Sequence, residues 1–370
     1  MAADWDRLLR ATLGHTGLQS FDFLLTWWEC LGEPRSLWIL VFREAGRICG
    51  VAPLQIAPRR ILGKTYRTVE FLGMTEDILV PRLLFPEPDA PALRAALLEY
   101  LGEQCASWDL IELDELASGD PFVGDLEGWA RARKLIYRQQ AFHDCPFLDL
   151  SAETSESFFG GRSRKLLKNV RAAERKLGAL GAVSVRSYSA PAEIAEGLAE
   201  FARVEECSWK RKESVGSTGD AAYRRFHRRL LEAFASRHAA RVMSLRVGDR
   251  PVAATLAIVF DGIHCSLEIV HDEQYARFSP GTLLEFHELE VLLREREVRR
   301  YEFLGGALAN KRRWTTDALA TVCVRARTAD ARMRLLDFYE FGAKPLVKRL
   351  LRRAGLYAPD RSKALSAGTT

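Results

Sequence analysis

The stretch from Cys265 to Trp314, CSLEIVHDEQYARFSPGTLLEFHELEVLLREREVRRYEFLGGALANKRRW, gathers the residues best suited to chemistry. Glu268 interrupts an apolar strand pattern, Tyr275 follows just past its end, and Ser279-Pro280-Gly281-Thr282 opens a helical run. Lys311, Arg312 and Arg313 come after Gly305-Gly306 and lead to Trp314. Acylating an amine or a hydroxyl needs a base to take a proton and an acid to return one to the leaving thiolate. Glu268 is the candidate base: on a strand lining a cleft, burial would bring its pKa toward neutrality. A salt-bridged or edge-exposed Glu is the competing reading. Tyr275 suits the acid, an acceptor-binding hydroxyl, or plain packing. The helix start presents backbone N–H groups that can bind a pyrophosphate, with Gly281 admitting a ligand close to the backbone. Ser279 or Thr282 capping those same groups gives an ordinary helix start. Lys311 suits stabilising developing charge or gripping a phosphate or carboxylate of the acceptor, and a solvated basic face is its bland alternative.

Those groups need a frame, and the chain supplies alternating helix and strand signals. In the first half, 21–31 is an apolar helical run, and 37–42 and 48–55 are strands joined by a hairpin across Glu44-Ala45-Gly46. A strand at 68–72, a helix after Pro91, a strand at 109–113 and a helix near 126–134 complete a mixed α/β domain. The second half repeats the order, with helices at 158–177, 191–209 and 222–237 before strands at 241–247 and 251–260. A strand at 264–270, a helix at 282–296 and strands at 300–304 and 320–327 follow. Two turns, EAGR and VGDR, each lead into a similar apolar strand, GVAPLQIA and PVAATLAIV, which suggests duplicated folds. The expected division is a first domain over 1–150, a second over 151–342, and a basic amphipathic helix with a flexible tail over 343–370.

Composition bounds the class. The chain has 370 residues, 48% hydrophobic and 28% charged, as expected of a soluble globular protein with room for two domains. A formal charge of +5 favours an anionic partner without choosing one. Seven scattered cysteines with no CxxC fit free thiols in a reducing compartment, and no run approaches a membrane span, so a cytoplasmic location is expected. No HExxH or Cys/His cluster indicates a metal. Trp209, beside Glu205, Glu206 and Lys210, is a candidate sugar or ring platform or a core residue. The segment 162–176 holds seven basic residues and one acidic around an apolar stripe of Leu166, Val170 and Ala173 that continues to Leu177. No aromatic interleaving supports a specific nucleic-acid partner. KPLVKRLLRR at 344–353 is a short basic amphipathic helix that packs on the core or touches an anionic membrane.

Five ordered blocks resemble the GNAT-like acyltransferases of the CelD type, which are associated with cellulose and exopolysaccharide biosynthesis and related to the FemABX peptidyltransferases. The blocks are SRKLLKNVRAAERKL at 163–177, EECSWK at 205–210, GDRPVAA at 248–254, HDEQY with SPGTLL over 271–284, and YEFLGG with NKRRW over 301–314. The resemblance implies an α+β fold with a mixed sheet, made of tandem GNAT-like domains, and acetyl-CoA or another acyl-CoA as co-substrate. It implies transfer in an interdomain cleft to an amine or hydroxyl of an amino-sugar or similar glycan acceptor. It also implies that Arg164, Lys165 and Asn169 face the acceptor, with Arg313 and Trp314 beside Lys311. Ala307 and Asn310 stand where the family pattern carries a carboxylate and a Tyr, which keeps an inactive scaffold in play. A Fem-like aminoacyl transferase is a further alternative, although no region shows the sustained heptads of a tRNA-binding hairpin.

Overall fold

The computed structural model describes residues 1–74, 80–208, 221–343, 346–347 and 350–351. Its first half runs α1 (Ala2–Ala11), α2 (Phe21–Leu31), β1 (Ser36–Glu44), β2 (Arg47–Ile61), β3 (Lys64–Phe71), α3 (Ala90–Glu103), β4 (Leu110–Ala117), α4 (Pro121–Ala132) and β5 (Ile136–Asp149). Its second runs α5 (Ser155–Gly160), α6 (Arg164–Gly178), β6 (Val183–Tyr188), α7 (Ile194–Glu206), α8 (Ala221–Ala235), β7 (Ala240–Val247), β8 (Arg250–Phe260) and β9 (Ile263–His271). After these come α9 (Pro280–Glu295), β10 (Arg300–Glu302), α10 (Ala309–Arg312), β11 (Ala318–Arg327) and α11 (Ala331–Asp337).

All of these strands join one mixed sheet in the order β1-β2-β3-β4-β11-β5-β10-β9-β8-β7-β6. The order nearly repeats when read backward. β3 pairs parallel with β4 as β9 pairs parallel with β10, and each of these two pairs is followed in sequence by one more strand, β5 or β11. Those last strands are exchanged: β11 lies against β4 of the first half, β5 against β10 of the second, and they pair with each other in the middle. The two halves are therefore related by a pseudo-two-fold through the β5–β11 pair. The expected boundary near residue 150 falls between β5 and α5, yet the sheet does not break there.

The hairpin at Glu44-Ala45-Gly46 forms as expected, because Ala45 and Gly46, with φ of 45° and 80°, take the left-handed pair that matches strand twist. Three elements go beyond the expected set: α1, which buries Trp5, Leu8 and Leu9 at helical spacing, β6, a short edge strand whose Val183 and Val185 alternate with exposed Ser184 and Arg186, and β5, which is exposed from Arg138 to Phe142 and shows no alternation there. The single helix expected over 158–177 is two, broken at Gly160-Gly161, and the second restarts where Ser163 accepts the N–H of Leu166 at 3.2 Å. A core cluster spans both halves, with Phe23 of α2 meeting Phe226 of α8 edge-on at 5.5 Å. Among the described residues, no helix is long and apolar enough to cross a membrane.

A chain ending at Thr316 lacks β11, which leaves β4 and β5 without their shared neighbour. The truncated chain is expected to lose the cooperative urea transition of both halves by circular dichroism. Retention of one full transition would show that a half stands alone.

Candidate functional site

The amino end of α9 opens on a cavity of about 430 Å³ whose wall is completed by α6. Pro280 occupies the first turn, Ser279 precedes it at φ 51° and makes no capping hydrogen bond, and the first helical bond is Leu283 N–H to the Ser279 carbonyl. The backbone N–H groups of the first turn have no intrahelical acceptor, and the positive end of the helix dipole points the same way. Four cationic side chains line this cavity, Lys165 and Lys176 from α6, Arg277, and Arg313, together with Asn169, and among the described residues no acidic one does. The buried residues Leu166, Val170 and Ala173 of α6 line it as well, beside Lys165, Asn169 and Lys176 of the same helix. Arg313 Nη1 donates to Thr282 Oγ1 at 2.5 Å, fixing the guanidinium at the cavity edge. Cationic side chains and unpaired backbone N–H groups are the features that suit a cavity to an anion.

Beside the cavity the sheet divides. β10 pairs with β9 only at Arg300–Glu302, after which Phe303 N–H bonds to Pro146 of β5 while β9 continues to His271. The departing chain turns at Leu304 and Gly305, both left-handed, with φ of 55° and 58°. Lys311 Nζ donates to the Leu304 carbonyl and braces that turn. Opposite the gap, the β8–β9 ladder slips by one residue between Leu256/Glu268 and Ala257/Ser266, so Leu267 forms a bulge. A bulge re-aims one backbone N–H out of the ladder.

The register also tells which way Glu268 points. It stands opposite Leu256, so both side chains leave the sheet on one face, that of α7 and α8. Leu256 lines a second cavity there, of about 380 Å³, with Phe201 and Glu205 of α7 and Arg224, His227 and Arg228 of α8. Glu268 is half-buried rather than central in the core. The first cavity lies on the opposite face, where α6 and α9 pack.

Several expected site residues sit elsewhere. Trp314 is wholly buried and its indole N–H donates to Glu285 Oε2 at 2.9 Å, so it is a core residue and not a substrate platform. Gly281 rests against Ile269 and His271 of β9, where a Cβ would meet Ile269 at 3.6 Å, an ordinary contact. Arg164 is exposed at the first turn of α6 and is not among the residues that line the cavity, whereas Lys165 and Asn169 are. Tyr275 packs beneath Arg250, 5.6 Å from its ring centre. Trp209 lies outside the described residues. Lys176 and Arg277 were passed over, although Lys165, Asn169, Ala172 and Lys176 share a helical face by period alone.

Under α9 lies a buried polar network. Glu288 accepts from Tyr301 Oη at 2.8 Å and Thr255 Oγ1 at 3.1 Å, with His264 Nε2 at 3.6 Å. Burial pushes the Glu288 carboxyl up, but His264 and the two hydroxyls outweigh it and hold it below the usual range. Glu285 behaves oppositely: burial pushes it up to about 7 against the Trp314 hydrogen bond. Among the described residues, one group, Glu112, Asp114 and Cys323, brings metal-ligand atoms within 4.8 Å, but Arg59 and Arg325 already pair with its carboxylates. The first-half counterpart of α9 is α3, which is preceded by exposed Glu87 and Asp89, so its amino end repels an anion.

Residues 164–312 match the profile of the Acetyltransferase (GNAT) domain. That stretch is an acyltransferase domain of the GNAT type, a class that uses acyl-CoA as co-substrate. A sequence search of curated proteins finds no match. Among solved structures, the chain is similar to FemX, with TM-score 0.62 at 11% identity over 91% of this chain and 98% of that one. It is also similar to the C-terminal domain of a putative lysylphosphatidylglycerol synthetase from Agrobacterium fabrum, with TM-score 0.53 at 13% identity over 91% and 95%. At these identities the likeness is one of fold.

Because the folded pKa of Glu285 is raised, its protonated form contributes stability that is present below the unfolded value of 4.5 and lost as pH rises through about 7. Glu285→Gln should flatten that fall, roughly 3 kcal/mol in the wild type, read from urea midpoints at acid and alkaline pH.

Proposed function

We propose that the protein moves an acetyl or similar short acyl group from coenzyme A to an amine or hydroxyl of an amino-sugar or comparable polar acceptor, in polysaccharide or cell-envelope synthesis. The observation that carries the donor half of this reading is the cationic cavity at the amino end of α9, with Lys165, Lys176, Arg277 and Arg313 and no carboxylate. It suits the pyrophosphate of the coenzyme. The gap between β9 and β10 gives the pantetheine arm a way through the sheet, and the bulged backbone near Leu267 offers an N–H to the thioester oxygen.

The acceptor approaches from the α7–α8 face, where Glu268 takes the proton from its nitrogen or oxygen. The new N–C or O–C bond forms, the C–S bond breaks, and the coenzyme leaves as a thiolate that gains a proton. Lys311 acts here by holding the Leu304 turn that keeps the gap open. Ala307 is not needed for this scheme, since its carbonyl only accepts from Arg312 at 2.9 Å. Within the acyltransferases, the five sequence blocks favour a CelD-type enzyme over a scaffold. The seven unpaired thiols suit a reducing cytoplasm.

Calorimetry should show acetyl-CoA binding that weakens about ten-fold or more when Lys165 and Arg313 are both changed to Ala, the loss shrinking at high salt. Glu268→Gln should keep that binding and lose about a hundred-fold or more in turnover. A well-folded sample with no heat at millimolar coenzyme would defeat the proposal.

We also propose that the C-terminal segment rests on an anionic membrane. Leu335, Phe338, Leu346, Val347 and Leu350 are each more than half exposed, and Lys344, Lys348, Arg349, Arg352 and Arg353 accompany the stripe in sequence. Vesicles rich in phosphatidylglycerol should sediment the intact chain and not one ending at Gly342. Equal sedimentation of both would refute it.

A further inference from the structure

The molecule's cavities differ in how far their charges are satisfied. In the cavity of about 290 Å³ between the halves, Arg82 pairs with Asp120 at 3.1 Å, Arg300 with Glu302 at 2.6 Å and Arg299 with Asp261 at 2.9 Å. The cavity at the amino end of α9 is built differently. Among the described residues, Lys165, Lys176 and Arg277 pair with no carboxylate, and Arg313 donates to the neutral hydroxyl of Thr282. The acids of the surrounding elements are engaged elsewhere: Glu174 of α6 faces His287 at 3.5 Å, Asp272 pairs with Arg250 at 2.6 Å, and Glu285 accepts from Trp314.

The cations are also spread along the cavity. Arg162, just before α6, donates to the Trp314 carbonyl, so Arg313 and Lys165 both stand near the amino end of that helix. Arg313 is bonded there to Thr282 in the first turn of α9, beside the N–H groups that suit a pyrophosphate. Lys176 lies in the last turn of α6, on the same face as Lys165 and about 16 Å from it along the axis, with Asn169 between them. A pyrophosphate diester bears about two negative charges, and a phosphate monoester adds about −1.5 to −2 at pH 7. Four uncompensated cations over that length match a ligand that carries both.

We infer that the donor is selected by a second phosphate: its pyrophosphate lies at the amino end of α9 with Lys165 and Arg313, and a terminal phosphate monoester, the 3′-phosphate of coenzyme A, is held by Lys176 at the far end of α6. The ribose between the two phosphates bridges part of that span, and the long lysine side chains bridge the rest. Lysine suits this post as a point charge that meets a tetrahedral oxyanion from any side. Lys176 is exposed, so a coenzyme without the 3′-phosphate leaves it in water and loses the attraction without a burial penalty. Given the acyl-CoA donor proposed above, on which its role rests, Lys176 is a specificity-determining residue that takes no part in the transfer step.

The test is calorimetry on the full-length protein with acetyl-CoA and acetyl-dephospho-CoA, which differ only in the 3′-phosphate. The wild type should bind acetyl-CoA about ten-fold or more tighter, and the preference should shrink at high salt. Lys176→Ala should cut the preference to about two-fold or less and leave the affinity for acetyl-dephospho-CoA unchanged, with no cost in folding at so exposed a position. Lys165→Ala, at the pyrophosphate end, should weaken both coenzymes alike. Equal affinity for the two coenzymes in the wild type, or an undiminished preference in Lys176→Ala, would overturn the inference and leave the acyl-CoA donor standing. If neither coenzyme binds at millimolar concentration, the acyl-CoA reading falls and the inference with it.

Discussion

The pairing of β5 with β11 is the constraint on which the rest of the molecule depends. Each of these strands completes the sheet of the half it does not belong to in sequence, so neither half closes its own hydrogen-bond ladder. Backbone N–H and C=O groups in a buried strand must be paired. The exchange therefore couples two cores that would otherwise be independent, and the cluster joining α2 to α8 reinforces it. The same exchange opens the functional gap: Phe303 stays with β5 instead of β9, and without β5 in that place the chain would have no reason to leave its parallel partner.

Around the gap, packing and polarity divide the labour. Trp314, buried and bonded to Glu285, anchors the end of the segment that carries Lys311 and Arg313. Arg162 stacks over Phe158 at 4.2 Å and donates to the Trp314 carbonyl, which ties α5 to the same anchor. The Glu288, Tyr301 and Thr255 bonds hold α9 on the sheet. The cationic cavity and the α7–α8 cavity thus sit on opposite faces of one sheet.

Much of this was legible in the sequence where the signal is local. Ser279-Pro280-Gly281-Thr282 marks a helix start through the φ of Pro280, and the stripe of Leu166, Val170 and Ala173 marks the buried side of α6 by period. The hairpin at Ala45-Gly46 follows from left-handed propensity alone. What stayed hidden is set by contacts far apart in the chain. Thr321 Oγ1 donates to the His143 carbonyl at 2.6 Å across 178 positions, and no local pattern announces that β11 crosses into the first half. Trp314 is expected beside the acceptor through its match to the family block, but its indole turns into the core while Arg312 and Arg313 stay exposed. That Arg277 lines the cavity at the amino end of α9, and Arg228 the one between α7 and α8, depends on how helices pack, which composition does not reveal.

The amino end of α3 bears on how many coenzymes the chain binds. A pseudo-two-fold would offer two equivalent helix starts, yet exposed Glu87 and Asp89 precede α3 where Ser279 precedes α9, and among the described residues the first half has no helix matching α6. Binding stoichiometry should therefore be one coenzyme for each chain.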